Sequence, residues 1–329
     1  MRVVVIGGSG FVGTELCRQL KQAGHEPVVF DLEAPKMPEV PSIRGDLRNL
    51  EDLARLSLGP DDLVVNLAAR QYHSTVPRRA RQAFFEDVNT EGVRQLLAYM
   101  ESRSCRRLVL FSTDMVYGLP QTVPVPTTHR RTPFGPYGTS KKKAEDLCFE
   151  ARSLGFKVTI VRPRMIMGPG RLGILKKLFG LIERGLPVPM IGSGRNCYQM
   201  VSVADCATAV LKIMERGIPN AEINLGSLNP PAVRDLLSAL ITKAGSRSWL
   251  VPTWAAPVKL VLAALGSVGL EIMYREQYMI ANVEYVLDLS ETERVLGWLP
   301  QYSDVTMIEE AFQSYQAEKN KVKATRIAP

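Results

Sequence analysis

The opening residues constrain this chain most. Val3, Val4, Val5 and Ile6 form a β-branched apolar run with no polar alternation, the pattern of a strand buried on both faces of a parallel sheet. The run leads directly into Gly7-Gly8-Ser9-Gly10-Phe11-Val12-Gly13 and then into a helical pattern over residues 14–23. Each glycine has a physical job: Gly7 permits the tight turn, Gly10 lets backbone amides approach a pyrophosphate, and Gly13 lets the helix pack closely on the strand. The helix N-terminus that follows offers unpaired N–H groups and a positive dipole end to phosphate, with Phe11 and Val12 among the expected cofactor contacts. Strand, glycine turn and helix in this order predict a dinucleotide site on a doubly wound parallel sheet.

The next strand pattern ends in Asp31. An acidic residue about 20 positions past the glycines accepts hydrogen bonds from both hydroxyls of an adenosine ribose and repels a 2′-phosphate. NAD is therefore expected rather than NADP, with Lys36 close enough to soften the preference. Further on stands Tyr137-Gly138-Thr139-Ser140-Lys141. Residues four apart share a helix face, so the Lys141 ammonium can sit beside the Tyr137 phenol. A free tyrosine ionises near pH ~10, and a fixed cation moves that value toward the working range of a general acid/base.

With these stand Gly45-Asp46-Leu47, Asn66-Leu67-Ala68-Ala69 and Ser112-Thr113-Asp114-Met115-Val116-Tyr117-Gly118. In this order, across most of the chain, the motifs resemble the extended short-chain dehydrogenase/reductases. That superfamily includes nucleotide-sugar epimerases and dehydratases and 3β-hydroxysteroid dehydrogenases. The resemblance implies an α/β fold, with an NAD-binding Rossmann domain over residues 1–165 and a smaller, mainly substrate-binding α/β domain over 166–329, some of whose segments return to the core. It also implies that Asp46 binds adenine with Leu47 beside the ring, and that small Ala68 and Ala69 let the dinucleotide lie close. Asn89 supports the active-site backbone or is an exposed helix residue within 84–102. Thr113 bonds the reacting oxygen, Tyr137 is the acid/base, Lys141 holds the nicotinamide ribose, and Tyr117 supports them. The family's habit is a homodimer through the helices containing 84–102 and 137–152.

Two departures narrow the chemistry. Sugar-nucleotide 4,6-dehydratases share Thr113-Asp114 but carry a glutamate next, where this chain has Met115, which cannot transfer a proton. Asp114 either contacts substrate or is a solvated acid at the strand end. Many sugar-nucleotide epimerases place a diphosphate-binding asparagine three residues after the arginine of the strand at 157–162, and here that position is Met165. Arg164 and Arg171 either grip a diphosphate instead, since guanidinium matches phosphate geometry, or are surface cations. Arg195, Asn196 and Tyr198 resemble the family's stretch of substrate contacts, and 289–298 resembles its closing helix and turn.

The chain has 329 residues and a formal net charge of +8. No basic tract is interleaved with aromatics, so anionic small molecules rather than nucleic acid account for the basicity. Five scattered cysteines without metal or redox spacing fit a reducing cytoplasm, and three unclustered histidines give no metal site. The first strand pattern begins at residue 2 without a charged-then-apolar run before it, so no signal peptide is expected. Residues 260–270 are apolar but far short of the ~20 needed to span a bilayer. They form either a buried or lid helix or an interfacial helix meeting an apolar or polyprenyl-linked substrate. Residues 317–329 are polar and expected to fray.

These readings lead to an NAD-dependent epimerase of a nucleotide-activated or related sugar, working by transient oxidation to a keto intermediate. The alternative is a 3β-hydroxysteroid-dehydrogenase-like oxidoreductase of an apolar or lipid-linked alcohol or ketone. A third is an idle NAD-binding sensor, which the complete Thr113, Tyr137 and Lys141 set opposes.

Overall fold

Alternation along the first strand decides the layering. Val3 and Val5 point into one apolar layer and Val4 and Ile6 into the other, and all four are fully buried. The structure, a computed structural model, describes residues 1–72, 76–170 and 175–327, with side chains through residue 320. Its strands are β1 (Arg2–Ile6), β2 (Glu26–Asp31), β3 (Ser42–Arg44), β4 (Leu63–Asn66), β5 (Arg107–Phe111), β6 (Lys157–Pro163), β7 (Met165–Met167), β8 (Val188–Ile191), β9 (Met200–Ser202), β10 (Glu222–Leu225) and β11 (Leu250–Thr253).

Seven of them make one sheet in the order β10-β6-β5-β4-β1-β2-β3, with every pairing parallel. This is the expected doubly wound α/β sheet. The chain reverses its direction of travel between β1 and β4, so a crevice opens at their carboxyl ends. Helices Phe11–Gln22 and Val203–Glu215 cover one face. Helices Gly92–Ser102 and Pro136–Ser153 cover the other. The chain thus returns to the sheet late, through Val203–Glu215 and β10. A separate apolar cluster, including Phe179, Met190, Leu240 and Phe312, holds helices Leu175–Glu183 and Val233–Lys243 with the two-stranded pair β8–β11.

Three local expectations need correction. The stretch expected as one helix over 84–102 starts at Arg81 and is interrupted by a π-helical turn at Asp87–Glu91. Residues 317–327, expected to fray, continue the helix Asp304–Ile327. Strong helix formers dominate there, and the Lys319 ammonium reaches Glu183 on another helix. The helix expected at 260–270 runs Ala255–Ser267 and has no buried residue, which removes the buried alternative.

Candidate active site

The carboxyl ends of β1, β2, β4 and β5 border a cavity of about 1170 Å³. At its base the β1 turn comes within van der Waals distance of β4's end. Gly7 has φ +78°, and a Cβ there would stand 2.7 Å from the Ala68 amide nitrogen. Gly13 is equally closed, since a Cβ would lie 2.5 Å from the Gly8 Cα. Gly7, Gly10, Phe11, Val12 and Gly13 line the cavity, as do Ala68 and Ala69 opposite. The first helix starts on Gly10 with no side-chain cap, so its amides are available to an anion.

Asp31 lines the same cavity, and backbone amides fix its carboxylate: Ser9 N–H donates to Oδ2 at 3.0 Å and Glu33 N–H to Oδ1 at 3.2 Å. The remaining lone pairs suit ribose hydroxyls. Asp46 and Leu47 lie farther along the wall. The side-chain hydrogen bond from Arg48, at 2.6 Å, holds the Asp46 carboxyl below its ordinary range. These residues fit a dinucleotide with an unmodified ribose, and Lys36 and Leu32 stand beside them.

Asn89 is buried and absent from the cavity wall, which overturns the exposed-helix alternative. Its Oδ1 accepts from the Arg70 amide at 2.8 Å, and its Nδ2 donates to the Arg70 carbonyl and to Ser140 Oγ. The π-helical turn aims this side chain back at the loop after β4, so Asn89 holds lining backbone rather than facing a ligand.

Tyr137 enters the cavity from the first turn of helix Pro136–Ser153, where Pro136 occupies a position whose N–H has no intrahelical acceptor. Its ring meets Tyr72 and Phe85 edge-on, each at 5.8 Å between centroids, and Tyr72 stacks on Tyr274 at 4.3 Å. Lys141, one turn on, is buried and donates to the Phe111 carbonyl at 2.7 Å. Burial lowers its pKa to about 8. Thr113, two residues past β5, caps a short 3-10 turn at Asp114–Val116; its hydroxyl donates to Asp114 at 3.1 Å and accepts from the Met115 amide at 3.2 Å.

The substrate-side wall differs most from expectation. Asp114 is buried and ion-paired to Arg164, also buried, so neither is the solvated charge that the sequence left open. The Arg164 guanidinium lies between the rings of Tyr198 and Tyr285, at 4.4 and 4.0 Å from their centroids. Asp114, Arg164 and Tyr198 line the cavity together with Met115, Met165 and Ile166. Arg195 and Asn196 do not: Arg195 is exposed, and Asn196 Nδ2 is turned away to the carbonyls of Ala281 and Val283. Arg171 lies outside the described residues. Tyr117 sits behind the wall, accepting from Arg162 at 3.0 Å and donating to Asn224 at 2.7 Å.

One residue the sequence did not signal is Glu276. It is buried against the first turn of the Tyr137 helix and accepts from Gly138 N–H at 3.1 Å. A Cβ on Gly135 would stand 2.0 Å from its carboxyl carbon, so that glycine is what admits the carboxyl. Burial pushes its pKa up to about 7, although the amides of Gly138 and Tyr137 oppose the rise. Among the described residues no cluster of His, Cys, Asp or Glu could hold a metal ion.

The NAD-dependent epimerase/dehydratase family model matches residues 3–226. The UDP-glucose 4-epimerase of Rhizobium leguminosarum bv. trifolii is 26% identical over 97% of this chain and 98% of its own. The N-acetyl-α-D-glucosaminyl-diphospho-ditrans,octacis-undecaprenol 4-epimerase of Escherichia coli O157:H7 is 34% identical over 62% of this chain and 60% of its own. The crystal structure of Thermotoga maritima UDP-glucose 4-epimerase with UDP-glucose superposes with a TM-score of 0.77 at 24% identity, covering 97% of this chain and 100% of that one. A model spanning most of the chain, laid over a glycine turn and a Tyr137–Lys141 helix that meet in one cavity, settles the family. This chain belongs to the NAD-dependent epimerase/dehydratase family and is an NAD-dependent enzyme of the extended short-chain dehydrogenase/reductase type.

Proposed function

We propose that the chain epimerises a nucleotide-activated or related sugar through a transient keto intermediate, with Tyr137 as the acid/base. The observation that carries this reading is that Thr113, Tyr137 and Lys141 line one cavity with the glycine turn. Epimerases among the relatives support the same chemistry. Gly7, Gly10, Phe11, Val12, Gly13, Asp31, Asp46, Leu47, Ala68 and Ala69 would hold NAD, which when bound accepts hydride from the sugar carbon and returns it to the other face.

The chain's own residues handle the proton. Tyr137 takes it from the substrate hydroxyl and returns it after the keto intermediate has turned over. The Lys141 ammonium, on the same helix face, favours the phenolate that makes this possible. Thr113 donates a hydrogen bond to the reacting oxygen once substrate competes with Asp114 for it. Tyr72, Phe85 and Tyr274 shield the phenol from bulk water. Met115 offers no proton at the position where a dehydratase needs its base, so epimerisation is favoured over water elimination. Net oxidation of an apolar alcohol is the second reading, favoured by Met115, Met165, Ile166, Ile272 and Ile280 in the wall.

Incubation with a panel of UDP-sugars separates the readings. Epimer formed without net NADH is expected, whereas stoichiometric NADH from a steroid or lipid alcohol would establish the second. Tyr137→Phe should reduce turnover by about 10²- to 10⁴-fold while NAD binding survives. A rate near wild type in that variant would remove Tyr137 from the mechanism.

A further inference from the structure

A helix that is apolar on all sides is normally buried in a core or in lipid. Helix Ala255–Ser267 has one charged residue, Lys259, and not one buried residue. Trp254 is 85% exposed and Leu260 72%, and Val261, Val268, Leu270 and Ile272 along the same segment are exposed as well. Trp249, at the start of β11, is also exposed, so two of the chain's three tryptophans stand on this segment. Among the described residues, no helix is long and apolar enough to cross a membrane.

We propose that the segment 249–272 docks on an anionic lipid bilayer and brings the adjacent cavity wall to the interface. Charge points to this occupant. Arg78 donates to the Gly269 carbonyl at 3.3 Å, which sets exposed Arg78 and Arg79 beside the helix end; exposed Arg275 follows the segment, and on the helix Lys259 donates to the Met279 carbonyl at 2.8 Å. The nearby acid, Glu271, is taken by Arg81 in a two-point pair at 2.7 and 2.6 Å. The rim of the apolar surface is therefore basic, and anionic headgroups attract each such cation. A second copy of this chain would bring the same basic rim against itself across a two-fold axis, which like charges oppose. Tryptophans at the edge suit the headgroup level, and a helix of this length lies in the interface instead of spanning.

The surface is continuous with the site. Ile272, Tyr274, Gln277 and Ile280 line the cavity immediately after the helix, and Tyr274 stacks on Tyr72 against Tyr137. Docking would thus place the substrate-side wall next to the bilayer, where an amphiphilic substrate with its sugar at the headgroup level can enter. That last step rests on the proposed epimerase chemistry; the docking does not.

Co-sedimentation of the full chain with vesicles tests the docking without any assay of turnover. The protein should pellet with phosphatidylcholine vesicles containing phosphatidylglycerol, stay in solution with phosphatidylcholine alone, and be released by salt. The double variant Leu260→Glu/Val261→Glu should lose roughly tenfold or more in vesicle affinity while melting and binding NAD like wild type. Should that variant fail to fold, Trp254→Ala, outside the helix, should weaken pelleting in the same direction. Wild type remaining in the supernatant with the mixed vesicles at low salt would overturn the proposal. So would a wild-type dimer that Leu260→Glu/Val261→Glu dissociates, since a second copy would then be the occupant.

Discussion

The two halves of the cavity are built by different means. The half proposed to hold the dinucleotide is made of backbone: Gly7 and Gly13 are closed to any side chain, Ala68 and Ala69 barely project, and Asp31 is held by the amides of Ser9 and Glu33. The substrate half is made of long side chains from distant segments. Arg164 crosses to Asp114, 50 positions earlier, between Tyr198 and Tyr285, and Glu276 reaches Gly138, 138 positions earlier. Backbone geometry conserves one shape, whereas a wall of crossing side chains can be rebuilt around a new substrate. A shared cofactor and varied substrates then follow from construction alone.

The largest effect should come from breaking the substrate half at its buried pair. Arg164→Met leaves the Asp114 carboxylate buried with no cation, at a cost of about 3–5 kcal/mol. Asp114→Asn/Arg164→Met removes the uncompensated charge and should recover much of that loss, because the neutral amide costs less to bury than a carboxylate and its oxygen can still accept from Thr113. Urea unfolding of the three proteins measures this. A double variant no more stable than Arg164→Met would mean that the ion pair is not what the wall depends on.

A smaller effect is expected at Glu276, where the two halves meet at the Tyr137 helix. Its folded pKa is raised from 4.5 to about 7. Between those values the native protein keeps a proton that the unfolded chain has released, so stability falls as pH rises through the window. Above it the loss reaches up to roughly 3 kcal/mol. Glu276→Gln retains an oxygen to accept from Gly138 and cannot ionise. Its stability should therefore lose this slope between about pH 5 and pH 7. Parallel wild-type and variant curves over that range would show that Glu276 does not titrate in the window.

This difference in construction also decided what could be read from sequence. The strand, its glycines, Asp31 and the Tyr137–Lys141 spacing are local, so periodicity and residue type reveal them before any packing is known. Arg164 looked equally suited to phosphate or to solvent, because only the packing of β7 against β9 and the approach of Tyr285 bury it. Asn89 stayed open between supporting the active-site backbone, as the resemblance implied, and exposure on a helix, since the π-helical turn that aims it is a departure from helical period. Met165 was visible as a missing amide, yet the cavity's apolar wall needed Ile272 and Ile280 from the far end of the chain. Glu276 was silent for the same reason: a lone glutamate acquires meaning only beside Gly135 and Gly138.

The smallest predicted effect probes the backbone-built half through the carboxylate of Asp31. Asp31→Asn keeps an oxygen for the Ser9 or Glu33 amide but gives up the charge and one acceptor for ribose. Loss of a charged acceptor is worth about 1.5 kcal/mol, so NAD affinity should fall roughly tenfold. The same change removes the repulsion of a 2′-phosphate, and Lys36 already lines that part of the cavity. NADP affinity should therefore rise as NAD affinity falls, a crossing that calorimetric titration of both cofactors can follow. If NAD weakens and NADP does not gain, exclusion of the 2′-phosphate belongs to the shape of the wall around Leu32, and backbone would govern cofactor choice as well as cofactor binding.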